Sequence, residues 1–470
     1  MSATATTEKK YLKWYQKLAY GSGDLASNCS YGLVSSFVLL YLTGTLGLDS
    51  AIIGSLMLAS KVLDGISDVI FGTLIDRTHS KLGKARPWML FGQVGVSLCL
   101  FLLFAIPAGS TTMQYIYFFI VYTALNAVFY TANGIAYSSL VALITKNNNE
   151  RVQLGSFRFM FAVVTNIFMG FAVTGMVEKF GSGAAGWRTT ALIFAIVGLV
   201  VNTISCLAVK ELPEEELSDN TSEAAEEGKA VAEEKKHGFA ETAKVLVHNK
   251  YYLMILAIYI VYYIMSNLTT GAGVFCATYY WGDGSLLGQF SMMKMFPVII
   301  ALAIAPILIK KTGSMQKVNF WGYAISSVLG IPMIYFAMQK NLSMFLLFMF
   351  IKGIFAGTLS GSLNALIAEA SGYTTRTTGI HMDGMMYSCS SLGVKVGGGI
   401  GTAAVGWLLK LGGFVGTATV QSESAIRMIF NLYITFPFVI GIIITVLLAF
   451  LDVEKANKKW DAEHQKEAQA

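Results

Sequence analysis

The segment Lys61-Val62-Leu63-Asp64-Gly65-Ile66-Ser67-Asp68 concentrates more ionisable chemistry than any other apolar stretch of this sequence. It lies in a hydrophobic run near residues 50–75. At about 100° per residue on a helix, Lys61, Asp64 and Asp68 fall within a sector of about 60°, on one face. Two carboxylates one turn apart supply what a hard monovalent cation needs: oxygen ligands, and negative charge to offset its lost hydration. Ser67 can add a hydroxyl beside them. Lys61 can neutralise one acid as a structural pair but not both, so a cation site at Asp64 and Asp68 is the expectation.

Arg158 and Lys395 also stand in apolar runs. An ionisable group at membrane depth costs roughly 2.5–3.5 kcal/mol, so each invites a functional reading. Facing a water-filled cavity, the two cations can donate to substrate hydroxyls or pair with a substrate carboxylate. The alternative is charge balance against Asp24, Asp64 and Asp68. Asn126, Asn133, Asn166, Asn267 and Asn364 are further candidates for hydroxyl partners, and Tyr31, Tyr130 and Trp281 for stacking on a flat face of a substrate.

These residues must be held by membrane helices. Of 470 residues, 54% are hydrophobic and 13% charged, against roughly 25% charged in a soluble domain. A spanning helix needs about 20 mostly apolar residues. Such runs fall near 15–44, 50–75, 86–106, 113–145, 155–178 and 187–209, then near 250–280, 285–310, 316–337, 342–370, 380–410 and 424–451. They are too long and too uniformly apolar for barrel strands. An all-α membrane protein of 12 helices in two six-helix halves is expected: residues 1–209, a charged linker 210–249, residues 250–451 and a charged tail 452–470. With the amino terminus inside, most Lys and Arg fall in inside loops, among them Lys9, Lys10, Arg77, Lys84, Arg151, Lys310 and Lys311. That asymmetry places both termini in the cytoplasm and makes the +6 net charge a topology signal, not a nucleic-acid footprint.

The five cysteines are scattered through apolar runs and suggest neither a metal cluster nor a disulfide framework. Residues 1–14 are polar and the first apolar run is too long for a signal-peptide core, so no cleaved leader is expected. Gly181-Ser182-Gly183-Ala184-Ala185-Gly186 matches a dinucleotide fingerprint but follows no strand. Asn341-Leu342-Ser343 matches a glycosylation sequon in a tight loop. Walker, H-E-x-x-H and G-x-S-x-G motifs are absent, so an enzyme is not expected and no cofactor is implied.

Between the second and third runs stands Gly72-Thr73-Leu74-Ile75-Asp76-Arg77, followed by Gly83-Lys84-Ala85-Arg86-Pro87. Glycines permit a tight turn, and Asp76 with the basic residues can hold helix ends together. This resembles the loop motif of the major facilitator superfamily, and Lys310-Lys311-Thr312-Gly313 is a weaker echo in the second half. A closer resemblance is to the glycoside–pentoside–hexuronide:cation symporters. It rests on Tyr20-Gly21-Ser22-Gly23-Asp24 with Asn28, Asp64-x-x-x-Asp68, the stretch from Asp76 to Arg86-Pro87, Gln153-Leu154-Gly155-Ser156-Phe157-Arg158, and Tyr387-Ser388 with Lys395.

That resemblance implies a major facilitator fold and cation-coupled symport, with Na+ or H+ as the coupling ion. It implies cation binding by Asp64, Asp68 and Thr131, and substrate binding by Asp24, Asn28, Asn133, Arg158 and Lys395. Gly72, Asp76, Arg77, Gly83 and Arg86 become the gating loop. Where galactoside-carrying members have two sugar-binding acids, this chain has Asn28 and Gly134. Asp24 with Asn28 is more similar to the glucuronide and xyloside carriers. The implied partners are a small glycoside, a monovalent cation and the lipid of a cell inner or plasma membrane, with a single chain as the working unit. A second reading keeps the fold and changes the cargo to an organic acid or lipid-like solute.

Overall fold

The computed structural model describes residues 9–213, 245–379, 383–418 and 420–467. Most of the expected linker lies outside the described residues. Among the described residues every regular element is a helix, with no strand. Eleven helices are long and apolar enough to cross a membrane. The helix Ser50–Asp76 completes the set; its 27 residues span about 40 Å at 1.5 Å each, more than the roughly 30 Å hydrocarbon core. In chain order the spans are α1 (Trp14–Thr45), α2 (Ser50–Asp76), α3 (Arg86–Leu103), α4 (Thr111–Ile144), α5 (Asn148–Lys179) and α6 (Gly183–Leu207). Then come α7 (Lys250–Trp281), α8 (Leu286–Thr312), α9 (Met315–Met338), α10 (Leu342–Thr378) and α11 (Met385–Leu411). The last span, α12, runs through Glu423–Phe430, Asn431–Thr435 and Phe436–Phe450, and an amphipathic helix, α13 (Val453–Glu467), follows it.

Side chains fix where these helices begin. Asp49 accepts from the amides of Ala51 and Ile52 at the start of α2, and Ser110, Asn147 and Ser314 cap α4, α5 and α9. Asn341, the sequon residue, accepts from the Met344 amide and caps α10. Each cap satisfies an amide that has no partner within its helix.

The chain forms two compact units. Unit 1 comprises Met1–Asp219, Gly273–Gln289 and Gly406–Ile426; unit 2 comprises Asn220–Ala272, Phe290–Val405 and Arg427–Ala470. The core of unit 1 includes Tyr20, Met89, Tyr137, Leu140, Leu154 and Cys206. Tyr20 and Tyr137 lock α1 to α4, each hydroxyl donating to the other residue's carbonyl. Within the same unit, Lys410 Nζ sits 2.6 Å from Asp49 Oδ2 and Ser50 Oγ donates to the Gly406 carbonyl at 2.9 Å.

In unit 2, Gly393, Gly397 and Gly401 form a stripe along α11 against α7. A Cβ at these positions would lie 2.3 Å from Tyr259 Cβ, 2.4 Å from the Ile260 carbonyl oxygen and 2.6 Å from that of Ile264. Small residues at i and i+4 are how membrane helices approach closely without a hydrophobic driving force between them. The other helix faces carry exposed apolar side chains, among them Phe91, Val164 and Ile204 in unit 1 and Ile307, Val328 and Val446 in unit 2. Such surfaces suit lipid, not water.

Candidate ion and substrate sites

The first site is built where α4 departs from α-helical winding. Residues Ala124–Tyr130 take a π-helical turn, a local widening often found at functional positions. It sets Thr131 opposite α2. Thr131 Oγ1 lies 2.7 Å from Asp64 Oδ1 and 2.9 Å from the Asn126 carbonyl oxygen. On its other side Asp64 Oδ2 lies 3.5 Å from Lys61 Nζ, whose ammonium sits 5.8 Å from the centre of the Tyr31 ring. Tyr31 stacks on Tyr130, their centroids 5.5 Å apart.

Around these groups is a cavity of about 280 Å³, lined in part by Lys61, Asp64, Asp68, Asn126 and Thr131. The structure places Asp64, Asp68 and Thr131 on the wall of one cavity. Asn126 donates Nδ2 to the Tyr122 carbonyl at 2.9 Å, which leaves its amide oxygen as an acceptor. The donor set is oxygen-rich, with two carboxylates, a hydroxyl and an amide oxygen, and suits a hard cation. Ser67 does not line this cavity: its hydroxyl donates to the Asp64 carbonyl of its own helix at 2.9 Å, the common habit of a serine within a helix.

The second site joins α1 to α5. Arg158 Nε contacts Asp24 Oδ2 at 2.6 Å, with both side chains partly buried, and the guanidinium lies 4.1 Å from the centre of the Tyr137 ring. Asn28 donates to the Asp24 carbonyl at 2.7 Å and accepts from Asn166 Nδ2 at 2.9 Å. A guanidinium carries five donors, so one bond to Asp24 does not exhaust it. Lys395 belongs to unit 2, on the π-helical turn Gly393–Gly397 of α11. Asn133 is no part of this site. It is buried, and donates to the Met89 carbonyl at 2.7 Å and to Asn202 Oδ1 at 3.4 Å. Its amide pins α4 to α3 and α6, a packing role in place of the expected contact with substrate.

The loop between α2 and α3 is organised by a residue its motif does not contain. Glu211, just past α6, accepts from the amides of Lys84, Ala85 and Arg86 at 2.7, 3.0 and 3.0 Å. Gly83 makes this possible: its φ is +112°, and a Cβ there would lie 2.3 Å from the Glu211 carboxyl carbon. Arg86 Nε donates to the Cys206 carbonyl at 3.2 Å. Asp76 and Arg77 are exposed, and at Gly72 a Cβ would meet open space. The second half repeats the device. Glu454 of α13 accepts from the Ser314 hydroxyl and from the amides of Met315 and Gln316 at 2.7 and 3.1 Å. A carboxylate at a helix N-terminus satisfies orphan amides and complements the helix dipole.

Twelve spans, polar clusters buried at membrane depth and carboxylate-anchored loops at corresponding points of the two halves define a multi-pass membrane transporter of the facilitator type. Residues 19–455 match the model of the MFS/sugar transport protein family, and the chain belongs to that family. The isoprimeverose transporter of Lactiplantibacillus pentosus is 26% identical over 98% of this chain and 93% of its own length. A putative glycoside/cation symporter of Escherichia coli (strain K12) is 24% identical, over 94% of this chain and 92% of its own. A glucuronide carrier protein homolog of the same organism is 23% identical, over 86% and 85%. Among solved structures, a bacterial homolog of the lysosomal transporter Spinster superposes with a TM-score of 0.68 at 13% identity, over 95% of this chain and 98% of that one. A D-xylose–proton symporter gives 0.63 at 12%, over 94% and 98%. At such identities these structures establish the fold alone.

Proposed function

We propose that this protein is a secondary active transporter that couples entry of Na+ or H+ to symport of a glycoside, pentoside or hexuronide by alternating access. The carrying observation is the formal charge of the α2–α4 cavity. Two carboxylates and one ammonium give −2 + 1 = −1, a deficit that one monovalent cation cancels. The names of the relatives support a sugar-like cargo.

Thr131 links the ion to the helix backbone. Its hydroxyl has one proton and two acceptors within reach, Asp64 Oδ1 and the Asn126 carbonyl. With the site empty, the proton can serve Asp64. With a cation at Asp64, the hydroxyl turns a lone pair to the ion and donates its hydrogen bond to the Asn126 carbonyl. Lys61, 3.5 Å from Asp64, is an internal counter-charge that the ion displaces. One elementary charge crossing 100 mV supplies about 2.3 kcal/mol, close to fifty-fold accumulation of a neutral cargo. Arg158, Asp24 and Asn28 are the substrate contacts on α1 and α5. The distribution of Lys and Arg supports an orientation in a cell inner or plasma membrane with both termini in the cytoplasm.

Uptake of a panel of neutral glycosides and hexuronides into proteoliposomes, with Na+ and H+ gradients imposed separately, tests the reading. Gradient-dependent accumulation of at least one member is expected. Equilibration of every member without accumulation under either gradient would refute coupling.

A further inference from the structure

Unit 2 contains a second set of charges that the ion site does not use. A cavity of about 190 Å³ is lined by residues of α7, α8, α9, α10 and α12. Lys294 of α8 and Lys352 of α10 both line it, and no carboxylate is among its described lining residues. Lys294 Nζ donates to Thr269 Oγ1 at 3.3 Å and Thr270 Oγ1 at 3.1 Å. Lys352 has neither a hydrogen bond nor an ion pair among the described residues. Counted from Leu286 and Leu342, where α8 and α10 begin, the two lysines lie about 12 and 15 Å along their helices. That is near the middle of a bilayer core of about 30 Å, too deep for an ammonium to reach the headgroups along its own stem.

Lone ammoniums at this depth are unfavourable, and two in one cavity repel each other. Their natural complement is an anion. The rest of the wall says which kind: Ser266 and Ser326 offer hydroxyls, while Met265, Phe345, Met349 and Phe438 are apolar. A small hydrated inorganic anion would gain nothing from the apolar side. We propose that this cavity binds an amphiphilic oxyanion, a carboxylate, phosphate or sulfonate head on an apolar body, with Lys294 and Lys352 holding the head. The threonine hydroxyls fix the Lys294 ammonium and leave Lys352 to complete the grip. The site lies wholly within unit 2, and the proposal does not rest on cation coupling at Asp64.

Such a head can come from an anionic phospholipid or from a free organic acid, and two arms separate the sources. In the first, the full-length protein in neutral detergent is titrated with phosphatidylglycerol, and retention is read by native mass spectrometry against phosphatidylcholine. In the second, the Tm shift given by octanoate is compared with that given by octanol, which has the same tail and no charge. The protein should select the charged ligand in at least one arm. A Lys294→Met/Lys352→Met variant should lose that selectivity by tenfold or more, and the Lys→Arg pair should keep it. Circular dichroism and Tm without ligand establish that each variant is folded. No preference for either anion, or equal preference in the folded Met variant, overturns the proposal.

Discussion

Asp64 is held from two sides, by the Thr131 hydroxyl at 2.7 Å and the Lys61 ammonium at 3.5 Å. Replacing either acid with the isosteric amide removes one formal charge and little else. Asp64→Asn and Asp68→Asn should each reduce gradient-driven uptake at least tenfold while the detergent Tm stays within a few degrees of wild type. Retained accumulation in either would remove that residue from the ion site. Arg158 presents a different question, because deleting it leaves the partly buried Asp24 without its ion-pair partner. The Asp24→Asn/Arg158→Met double variant separates balance from binding. It should fold normally yet bind a hexuronide roughly 10- to 100-fold more weakly, since a charge-assisted bond contributes about 1.5–3 kcal/mol. A neutral glycoside should lose roughly fivefold. Titration calorimetry with both substrates reads the difference, and unchanged affinity for both would reduce the pair to charge balance. Asn133→Ala should behave oppositely, lowering stability by about 1–2 kcal/mol with no change in substrate KM. The residue types on α2 were legible because helical periodicity alone puts Asp64 beside Asp68. The partners of Asn133 and Ser67 were not, because a polar side chain on a membrane helix looks the same in sequence whether it meets a cargo, a neighbouring helix or its own backbone.

At the scale of elements, the helix starts depend on carboxylates remote in sequence. Glu150 receives the amides of Tyr11 and Leu12 ahead of α1, Glu211 those before and at the start of α3, and Glu454 those of α9. Glu211→Ala would leave three amides at the start of α3 without their acceptor. A loss of about 1–3 kcal/mol is expected, read as a lowered Tm and faster proteolysis of the loop at 77–86. A Tm unchanged from wild type would show that water replaces the carboxylate at no cost. Glu454→Ala should have a comparable effect at α9. The spans themselves were readable from hydropathy, since lipid demands long unbroken apolar helices. The anchors were not. Glu211 opens a charged stretch whose composition reads as solvated linker, and only folding shows that it caps a helix more than a hundred residues earlier. The π-helical turn in α4 has no sequence signature either, although it positions the residue that meets Asp64.

At the scale of the whole molecule, the proposed topology, with both ends of the chain in the cytoplasm, rests on the even number of spans and on the Lys and Arg bias. The five native cysteines are all buried, which favours single-cysteine labelling with an impermeant thiol reagent. Cysteines at Ser110, Gly183 and Lys340 should label in intact cells, and those at Ser80 and Lys311 only after permeabilisation; all five positions are exposed. Ser314 suits the experiment less well, because its hydroxyl is buried against Glu454. Labelling of Ser80 in intact cells would invert the topology. The measurement that bears most directly on the central claim is paired transport in proteoliposomes containing wild type or Asp64→Asn. A transported glycoside is followed both by counterflow without an ion gradient and by uptake driven by Na+ or H+. Wild type should accumulate substrate above equilibrium, while Asp64→Asn should still exchange it but no longer concentrate it. Concentrative uptake by Asp64→Asn equal to wild type would contradict the account.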